Sequence, residues 1–451
     1  MRKVITYGTY DLLHQGHINL LRRAKELGDY LIVGVTDDNF DRDRGKLNVR
    51  NNVLERVEAV KSTGYADQII IEHYIGQKID DIQKYGVGIF AVGSDWEGQF
   101  DYLKEYCDVV YLPRTEGISS TMLREKSEEQ DVKVGILGCG RVAHRFPSEA
   151  DVVSGIKVVS AYDTNLSASQ SIEKQSKGGI TTCPDLDSFF ASVDAVYIAT
   201  PHLTHYTYIK QSLLRGKHVL CETPLVLNGC QAREVYRLAQ EKSLLLMEAN
   251  KTAHCPAFNH LMVMIKSGVI GDVVDVDASL SKLWDDDMSL REFDPEQAGG
   301  SMYELGSYPL LPIIKICGTR FEKLNLYSRR KAGVDMYTKG IFQYPKAVCS
   351  FKVGLGVKTE GDLVVSGTKG YAYVPAPWWK TDYFELRYEN QNENKKFFYK
   401  WDGAGLRYEI QEFISCIVNQ RFSSARLSLE DSICMADIMQ QFTERKNVWE
   451  I

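Results

Sequence analysis

Tyr7-Gly8-Thr9-Tyr10-Asp11-Leu12-Leu13-His14-Gln15-Gly16-His17 follows a short β-rich run, Lys3-Val4-Ile5-Thr6-Tyr7, and precedes an amphipathic one, Ile18-Asn19-Leu20-Leu21-Arg22-Arg23-Ala24-Lys25. The order is strand, tight glycine turn, helix. His14 and His17 stand three apart across a glycine, so both imidazoles can face one pocket near a helix N-terminus. Such a terminus presents unpaired backbone N–H groups and a partial positive charge, which suits a polyphosphate. Two imidazoles there can donate hydrogen bonds to charge growing on phosphate oxygens. Two histidines satisfied within a turn are the plainer alternative.

Working outward, Tyr30-Leu31-Ile32-Val33-Gly34-Val35 is a continuous apolar run, as a buried parallel strand requires. A charged loop, Asp41-Arg42-Asp43-Arg44-Gly45-Lys46, and a helix through Arg56 to Lys61 follow. Further strands are expected at Ile69–Ile71, Ile89–Gly93 and Val109–Leu112. Strands alternating with helices predict an α/β fold with a parallel sheet, whose ligands bind beyond the carboxyl ends of the strands. Ser94-Asp95-Trp96 and Arg114-Thr115-Glu116-Gly117-Ile118-Ser119-Ser120-Thr121 fall at those ends. The hydroxyls of Ser119, Ser120 and Thr121 sit where a helix would begin, placed to cap it or to hold phosphate oxygens beside Arg114.

The chain has 451 residues, enough for two or three domains. Hydrophobic content of 44% and charged content of 25% are those of a globular protein. A net charge of −6 gives no support for a nucleic-acid partner. No apolar run reaches the ~18 residues of a membrane span, so no membrane insertion is expected. The N-terminus enters a strand at once, without a signal-peptide pattern. Ten cysteines without CxxC pairing read as reduced thiols in a cytoplasmic protein, and no side-chain metal site is assigned.

The segments GTYDLLHQGH, Ser94–Gly98 and Arg114–Thr121 resemble the HxGH nucleotidyltransferases, in particular the glycerol-3-phosphate cytidylyltransferases, over residues 1–127. The resemblance implies an HxGH Rossmann-like fold. It implies that His14 and His17 stabilise the reacting phosphorus of CTP, with Thr9, Tyr10 and Asp11 shaping the pocket. Lys46 would meet phosphates. Arg56, Asp67, Asp95 and Trp96 match cytidine or substrate positions. Arg114, Thr115, Ser119, Ser120 and Thr121 match the phosphate signature. The implied reaction is in-line attack of an alcohol phosphate on CTP with Mg²⁺ sharing the pyrophosphate charge. One departure stands out: the family's second arginine, eight residues after Arg56, is Gly64 here. It opens the acceptor to other short polyol phosphates, such as glycerol 2-phosphate.

The polar stretch 125–131 reads as the end of a helix and a short linker, the linker being residues 128–131. Val132–Leu137 starts a new strand, followed by Gly138-Cys139-Gly140-Arg141-Val142-Ala143, a GxGxxA in the strand-to-helix context it needs. The next strand ends at Asp163, roughly 20 residues beyond the glycines, where a ribose-binding acid belongs. Thr164 and Asn165 follow instead of an arginine, which favours NAD(H) over NADP(H).

Thr200-Pro201-His202, Glu222-Thr223-Pro224 and Met247-Glu248-Ala249-Asn250 resemble the Gfo/Idh/MocA oxidoreductases. That layout implies a classical Rossmann domain at 132–250 and an α+β open-sheet domain at 251–451, whose end is expected to pack back on the Rossmann domain. Gly138, Gly140, Ala143, Asp163, Thr200, His202 and Glu222 are the implied cofactor residues. Gly299–Pro309 resembles the family's glycine-rich helix entry, with Glu304 and Tyr308 four apart on one helical face. Tyr308 would donate a proton to a carbonyl oxygen; a core-packed tyrosine is the alternative.

Thr223 stands where the family's Glu-Lys-Pro has lysine, and Lys251, directly after the Met247–Asn250 segment, is expected to fill part of that space in the substrate site. The expectation is therefore bifunctional. CTP and a small polyol phosphate give a CDP-alcohol for capsule or teichoic-acid-like polymers, coupled to NAD(H)-dependent reduction of a small carbonyl compound. The alternative keeps only the transferase, with a redox-inactive binding or oligomerisation module. Both resembled families form dimers, so a homo-oligomer is expected.

Overall fold

A computed structural model describes residues 2–37, 49, 51–73, 76–113, 131–176, 179–283 and 290–451. The chain divides into two units, Met1–Gln130 and Asp131–Ile451.

The first unit carries β1 (Lys3–Gly8), β2 (Tyr30–Thr36), β3 (Gln68–Glu72), β4 (Ile89–Gly93) and β5 (Asp108–Leu112). They form a parallel sheet in the order β3-β2-β1-β4-β5. The order reverses between β1 and β4, which opens a crevice at the carboxyl end of β1. One face buries Val4, Leu31, Val33 and Ala91 against Leu21 and Ala24 of the helix Gln15–Glu26. The other buries Ile5, Ile32 and Phe90 with Ile82 of the helix Gln77–Tyr85. Burial on both faces explains why these strands read as unbroken apolar runs.

The second unit begins with β6 (Val132–Leu137), β7 (Ile156–Tyr162), β8 (Thr181–Thr182), β9 (Ala195–Ile198), β10 (His218–Glu222) and β11 (Leu246–Ala249). They form a second parallel sheet, ordered β11-β10-β9-β6-β7-β8. The expected helix after the glycine loop is short: a single turn, Ala143–Arg145, leads into Phe146–Ala150.

Nine strands build the third sheet: β12 (Val273–Lys282), β13 (Lys323–Lys331), β14 (Val334–Gln343), β15 (Val348–Leu355), β16 (Leu363–Gly367), β17 (Gly370–Val374), β18 (Tyr383–Tyr388), β19 (Lys395–Phe398) and β20 (Val448–Glu450). Their order is β19-β18-β17-β16-β12-β15-β14-β13-β20. Only β12/β15 and β13/β20 run parallel among these pairs. Helices Pro256–Lys266 and Ser307–Cys317 fill its inner face through Phe258, Leu261, Leu310 and Ile313. The α/β fold class and the added open sheet are as the sequence predicts.

Two late helices return to the Rossmann sheet. Leu406–Val418 packs Leu406, Ile410, Phe413 and Ile414 into the core around Val134, Ile136 and Phe146. Leu429–Thr443 lies along Gly229–Glu241, where Arg233 pairs with Asp437 at 2.9 Å. No helix among the described residues is long and apolar enough to cross a membrane.

Candidate active sites

In the first unit the site grows from the turn after β1. A Cβ at Gly8 would lie 2.9 Å from the Tyr10 ring, so glycine there lets Tyr10 fold back beneath the strand end. Tyr10 and Leu12 both adopt left-handed backbone, with φ of 53° and 48°. Two non-glycine residues in that region mark a loop over-determined by its surroundings.

His14 caps the helix Gln15–Glu26, its Nδ1 accepting from the Gly16 amide at 3.1 Å. An accepting Nδ1 places the proton of the neutral ring on Nε2, as a donor. The His14 and His17 rings stack at 3.9 Å, and Tyr10 meets His17 edge-on at 5.5 Å. Burial lowers the His14 pKa, so the stacked pair avoids double charge near neutrality.

Asp11 and Arg56 brace this loop. The Asp11 carboxylate accepts from the Asn51 amide at 2.9 Å. Arg56 is fully buried, with Nε donating to the Asn51 carbonyl at 2.9 Å and Nη1 to the Thr9 carbonyl at 2.7 Å and the Thr36 hydroxyl at 3.3 Å. Arg56 therefore reaches the nucleotide pocket through the Thr9 backbone, which corrects its expected place as a direct substrate ligand.

Asp67 is a second correction. It precedes β3 at the amino end of the sheet, opposite the histidines, and its exposed carboxylate pairs with Lys25 and accepts from the Leu31 amide at 2.6 Å. It fastens strand β2 instead of lining the site. Asp95 and Trp96 occupy the turn Ser94–Trp96 at the carboxyl end of β4, the sheet end that carries the histidines. Lys46, Arg114, Thr115, Ser119, Ser120 and Thr121 lie outside the described residues.

In the second unit one cavity of about 870 Å³ runs from the glycine loop to the start of the helix Ser307–Cys317. Gly138 has φ +90°, and a Cβ there would sit 2.6 Å from Thr200 Cγ2 and 2.7 Å from its amide nitrogen. Gly140 has open space where a Cβ would be, so its backbone faces the cavity bare. Ala143 is buried beneath the loop. The Asp163 carboxylate accepts from the Cys139 amide at 2.7 Å and from Asn165 at 2.8 Å, which fixes it beside the glycines. A bare glycine loop with a fixed carboxylate at the next strand end fits a dinucleotide.

At the other end of the cavity, Arg291 pairs with Glu304 at 2.8 Å and His202 Nδ1 lies 3.7 Å from the same oxygen. Burial, against the pull of Arg291, lifts the Glu304 carboxyl to about 7. Burial, then His205 and Arg291, holds His202 neutral. Glu304 and Tyr308 lie on successive helices, Ser301–Leu305 and Ser307–Cys317, hinged at Gly306, whose absent side chain makes room for the Met302 carbonyl. Both face the cavity.

Burial, then the Glu222 and Glu409 charges, raises the Tyr308 pKa, so the phenol keeps its proton. The Thr223 side chain is within hydrogen-bonding reach of that hydroxyl. Tyr197 donates to Glu222. Lys251 opens the short helix after β11 and lines the same cavity, with no carboxylate within 4.0 Å of its ammonium among the described residues. Burial lowers its pKa, while Glu409 and Glu222 pull the other way.

Glu409 and Arg291 are site residues that the sequence reading missed. Glu409 had a signal: Glu409 and Glu412 interrupt the apolar face of Leu406, Phe413 and Cys416 on one helix. Glu412 is accounted for by Ser424 at 2.8 Å and Arg426 at 3.5 Å. Glu409 is 1% exposed and has an oxygen without a hydrogen-bond partner. Arg291 carried no such signal.

Residues 5–126 match the family model described as cytidylyltransferase-like. Residues 132–250 match the NAD-binding Rossmann fold of the Gfo/Idh/MocA oxidoreductases, and 258–373 match the C-terminal domain of that family. The glycerol-3-phosphate cytidylyltransferase of Staphylococcus aureus is 50% identical over 133 residues, 30% of this chain and 100% of that enzyme. The trans-1,2-dihydrobenzene-1,2-diol dehydrogenase of Oryctolagus cuniculus is 33% identical over 262 residues, 55% of this chain and 78% of that enzyme. KijD10, a 3-ketoreductase from Actinomadura kijaniata solved with NADP and TDP-benzene, superposes with a TM-score of 0.63 at 20% identity, over 71% of this chain and 99% of that one. The chain is a fusion of two enzymes: its first unit belongs to the cytidylyltransferase family of the glycerol-3-phosphate enzymes and its second to the Gfo/Idh/MocA oxidoreductases.

Proposed function

We propose that the chain makes a CDP-activated alcohol from CTP and a small polyol phosphate of the glycerol-phosphate kind, and also carries out NAD(H)-dependent reduction of a related carbonyl compound. The transferase reading rests on the capped, stacked His14–His17 pair and on a half-identical relative named for glycerol 3-phosphate. In it, the acceptor's phosphate oxygen forms a bond to the α-phosphorus of CTP as the bond to pyrophosphate breaks. His14 Nε2–H and His17 donate to the oxygens that gain charge. Lys46, Arg114, Thr115, Ser119, Ser120 and Thr121 join them by resemblance, and Mg²⁺ would share the charge of the leaving pyrophosphate.

Gly64 bears on the acceptor. It has φ +72° just past the C-terminus of the helix Val53–Ser62, its amide bonded to the Lys61 carbonyl. A left-handed position after a helix selects glycine and disfavours the family's arginine. The acceptor panel therefore includes sn-glycerol 3-phosphate, glycerol 2-phosphate, ribitol 5-phosphate and erythritol 4-phosphate. Pyrophosphate release with CTP and Mg²⁺ identifies the acceptor, and silence across the panel with CTP bound refutes this acceptor class.

One observation carries the redox reading: Tyr308 and Lys251 share a single cavity with the glycine loop and Asp163. A bound nicotinamide would supply hydride there. Tyr308, held protonated, gives its proton to the substrate oxygen, and Lys251 orients that oxygen. Asp163 followed by Thr164 and Asn165 favours NAD(H), since a carboxylate at the ribose repels a 2′-phosphate. The dehydrogenase relatives are named for a vicinal diol, and a glycerol-type alcohol is one, so an α-hydroxycarbonyl is the matching partner.

Thr223 favours the second reading, a redox-inactive module. Fluorescence titration with NADH separates the two, since no binding removes the redox reaction. A cytoplasmic homo-oligomer supplying polymer synthesis, of capsule or teichoic-acid type, completes the proposal.

A further inference from the structure

Resting on the oxidoreductase reading of the neighbouring cavity, we infer that Arg141, Lys282 and Lys358 form an anion site that holds the phosphate of a phosphorylated carbonyl substrate. A second cavity, of about 430 Å³, is lined by Arg141, Ser281, Lys282, Leu283 and Lys358. Arg141 and Lys282 also line the larger cavity that holds Tyr308 and Lys251, so the two adjoin. Three cations and a hydroxyl line the smaller one, and no carboxylate does so among the described residues.

The fold holds these cations together. Lys282 ends β12, and the loop after β15 folds against that strand end. The Gly356 amide donates to the Lys282 carbonyl at 2.8 Å. The Thr359 amide donates to the Ser281 hydroxyl oxygen at 2.7 Å, and the two hydroxyls meet at 2.9 Å. These bonds flank Lys358 in the chain and keep it next to Lys282. Arg141 comes from the glycine loop and is steadied by Glu292 at 3.3 Å. Like charges held close by backbone bonds repel one another, and an anion between them relieves the repulsion. Ammonium groups beside a guanidinium are the donors that a phosphate takes. Two of the three come from the nine-stranded sheet and not from the Rossmann sheet, which assigns the cluster to substrate instead of cofactor.

The step needs no further reactant. The carbonyl carbon takes a hydride from NADH and its oxygen takes the Tyr308 proton, which water replaces. An alcohol and NAD⁺ are the products, and the phosphate ester bonds stay intact. A phosphate monoester would place this reduction before CDP transfer, because its product is an acceptor of the class proposed for the first unit. A diphosphate ester would place it after.

The test is acetylation of the full chain with acetic anhydride, with and without NAD⁺, in the presence of sn-glycerol 3-phosphate, CDP-glycerol or glycerol. Mass spectrometry of the peptides reads Lys282 and Lys358, with exposed Lys395 as the internal standard. A phosphate-bearing probe above its Kd should slow acetylation of both lysines roughly threefold or more, and glycerol should not. Stronger protection by glycerol phosphate identifies the monoester, and stronger protection by CDP-glycerol the diphosphate ester. No protection of either lysine by the phosphate-bearing probes overturns the inference.

Lys358→Glu gives a second reading. The kcat/KM for oxidation of the protecting probe, relative to that for glycerol, should fall about tenfold, the loss of one charge-assisted contact. An equal fall in NADH affinity would assign the cations to cofactor and overturn the inference. NADH fluorescence on the wild type keeps the two failures apart. Absence of binding there refutes the oxidoreductase reading, while the protection pattern still decides the anion site.

Discussion

Arg407 grips both oxygens of Glu149, Nε to Oε2 at 3.1 Å and Nη2 to Oε1 at 2.8 Å. The Ala404 and Arg407 amides complete the ring around the carboxylate at 3.0 and 3.1 Å. This pair ties the late helix Leu406–Val418 to the helix Phe146–Ala150 just after the glycine loop.

Arg407→Ala leaves the Glu149 carboxylate buried and unpaired. The second unit should lose stability toward the low end of roughly 3–5 kcal/mol, because Arg407 is partly exposed. Burial pushes the Glu149 carboxyl up, but Arg407 and the two amides outweigh it, so its pKa lies below the usual value. A depressed carboxyl contributes stability above its unfolded pKa and loses it as pH falls through the folded one. Denaturant unfolding from pH 7 down to pH 3 should therefore show the variant's deficit shrinking with acid.

Arg56→Ala removes donors to Thr9 and Asn51 from inside the first unit. Since hydrogen bonds from a charged group contribute about 1.5–3 kcal/mol, the first unit should melt earlier by several degrees. The transferase should lose kcat through the displaced loop, and Arg56→Lys should recover only part of it. A direct ligand role would instead raise KM alone, in a protein of unchanged stability.

His14→Ala and His17→Ala should each lower pyrophosphate release about 10²–10³-fold, the usual effect of deleting one donor to developing charge. Because burial lowers the His14 pKa, the rate should show no acid limb at the ordinary histidine value and should fall only at lower pH. Steady-state kinetics from pH 5 to pH 8 check both.

Much of this was legible because its signals are local. The glycine turns at Gly8 and Gly138, the histidine pair and the strands β1–β7 are set by residues next to one another in sequence. Asp67 was misread because a motif position says nothing of which sheet end the strand register places it at. Arg56 looked like a ligand because its burial depends on Thr9, far along the chain. The Glu304–Arg291 pair joins a short helix to the turn Arg291–Phe293, and Glu409 arrives from a helix after the whole nine-stranded sheet. Contacts of that kind have no sequence period to betray them.

Glu304 gives a second pH signature with the opposite sign. Its folded pKa of about 7 lies above the ordinary carboxyl value, so the stability it contributes is present at low pH and is lost as pH rises toward 7. Glu304→Gln does not titrate. The melting temperature of Glu304→Gln minus that of the wild type should therefore rise between pH 5 and pH 8.

Tyr308→Phe bears most directly on the claim that the second unit is a working oxidoreductase. NADH binding and NADH oxidation should be measured on the full chain, with a panel of small α-hydroxycarbonyl compounds and their phosphates. We expect NADH to bind wild type and variant within about twofold, and turnover to fall about 10²–10⁴-fold in the variant, the range for losing a positioned acid. Nicotinamide binding absent from the wild type, or turnover unchanged in Tyr308→Phe, would contradict the claim.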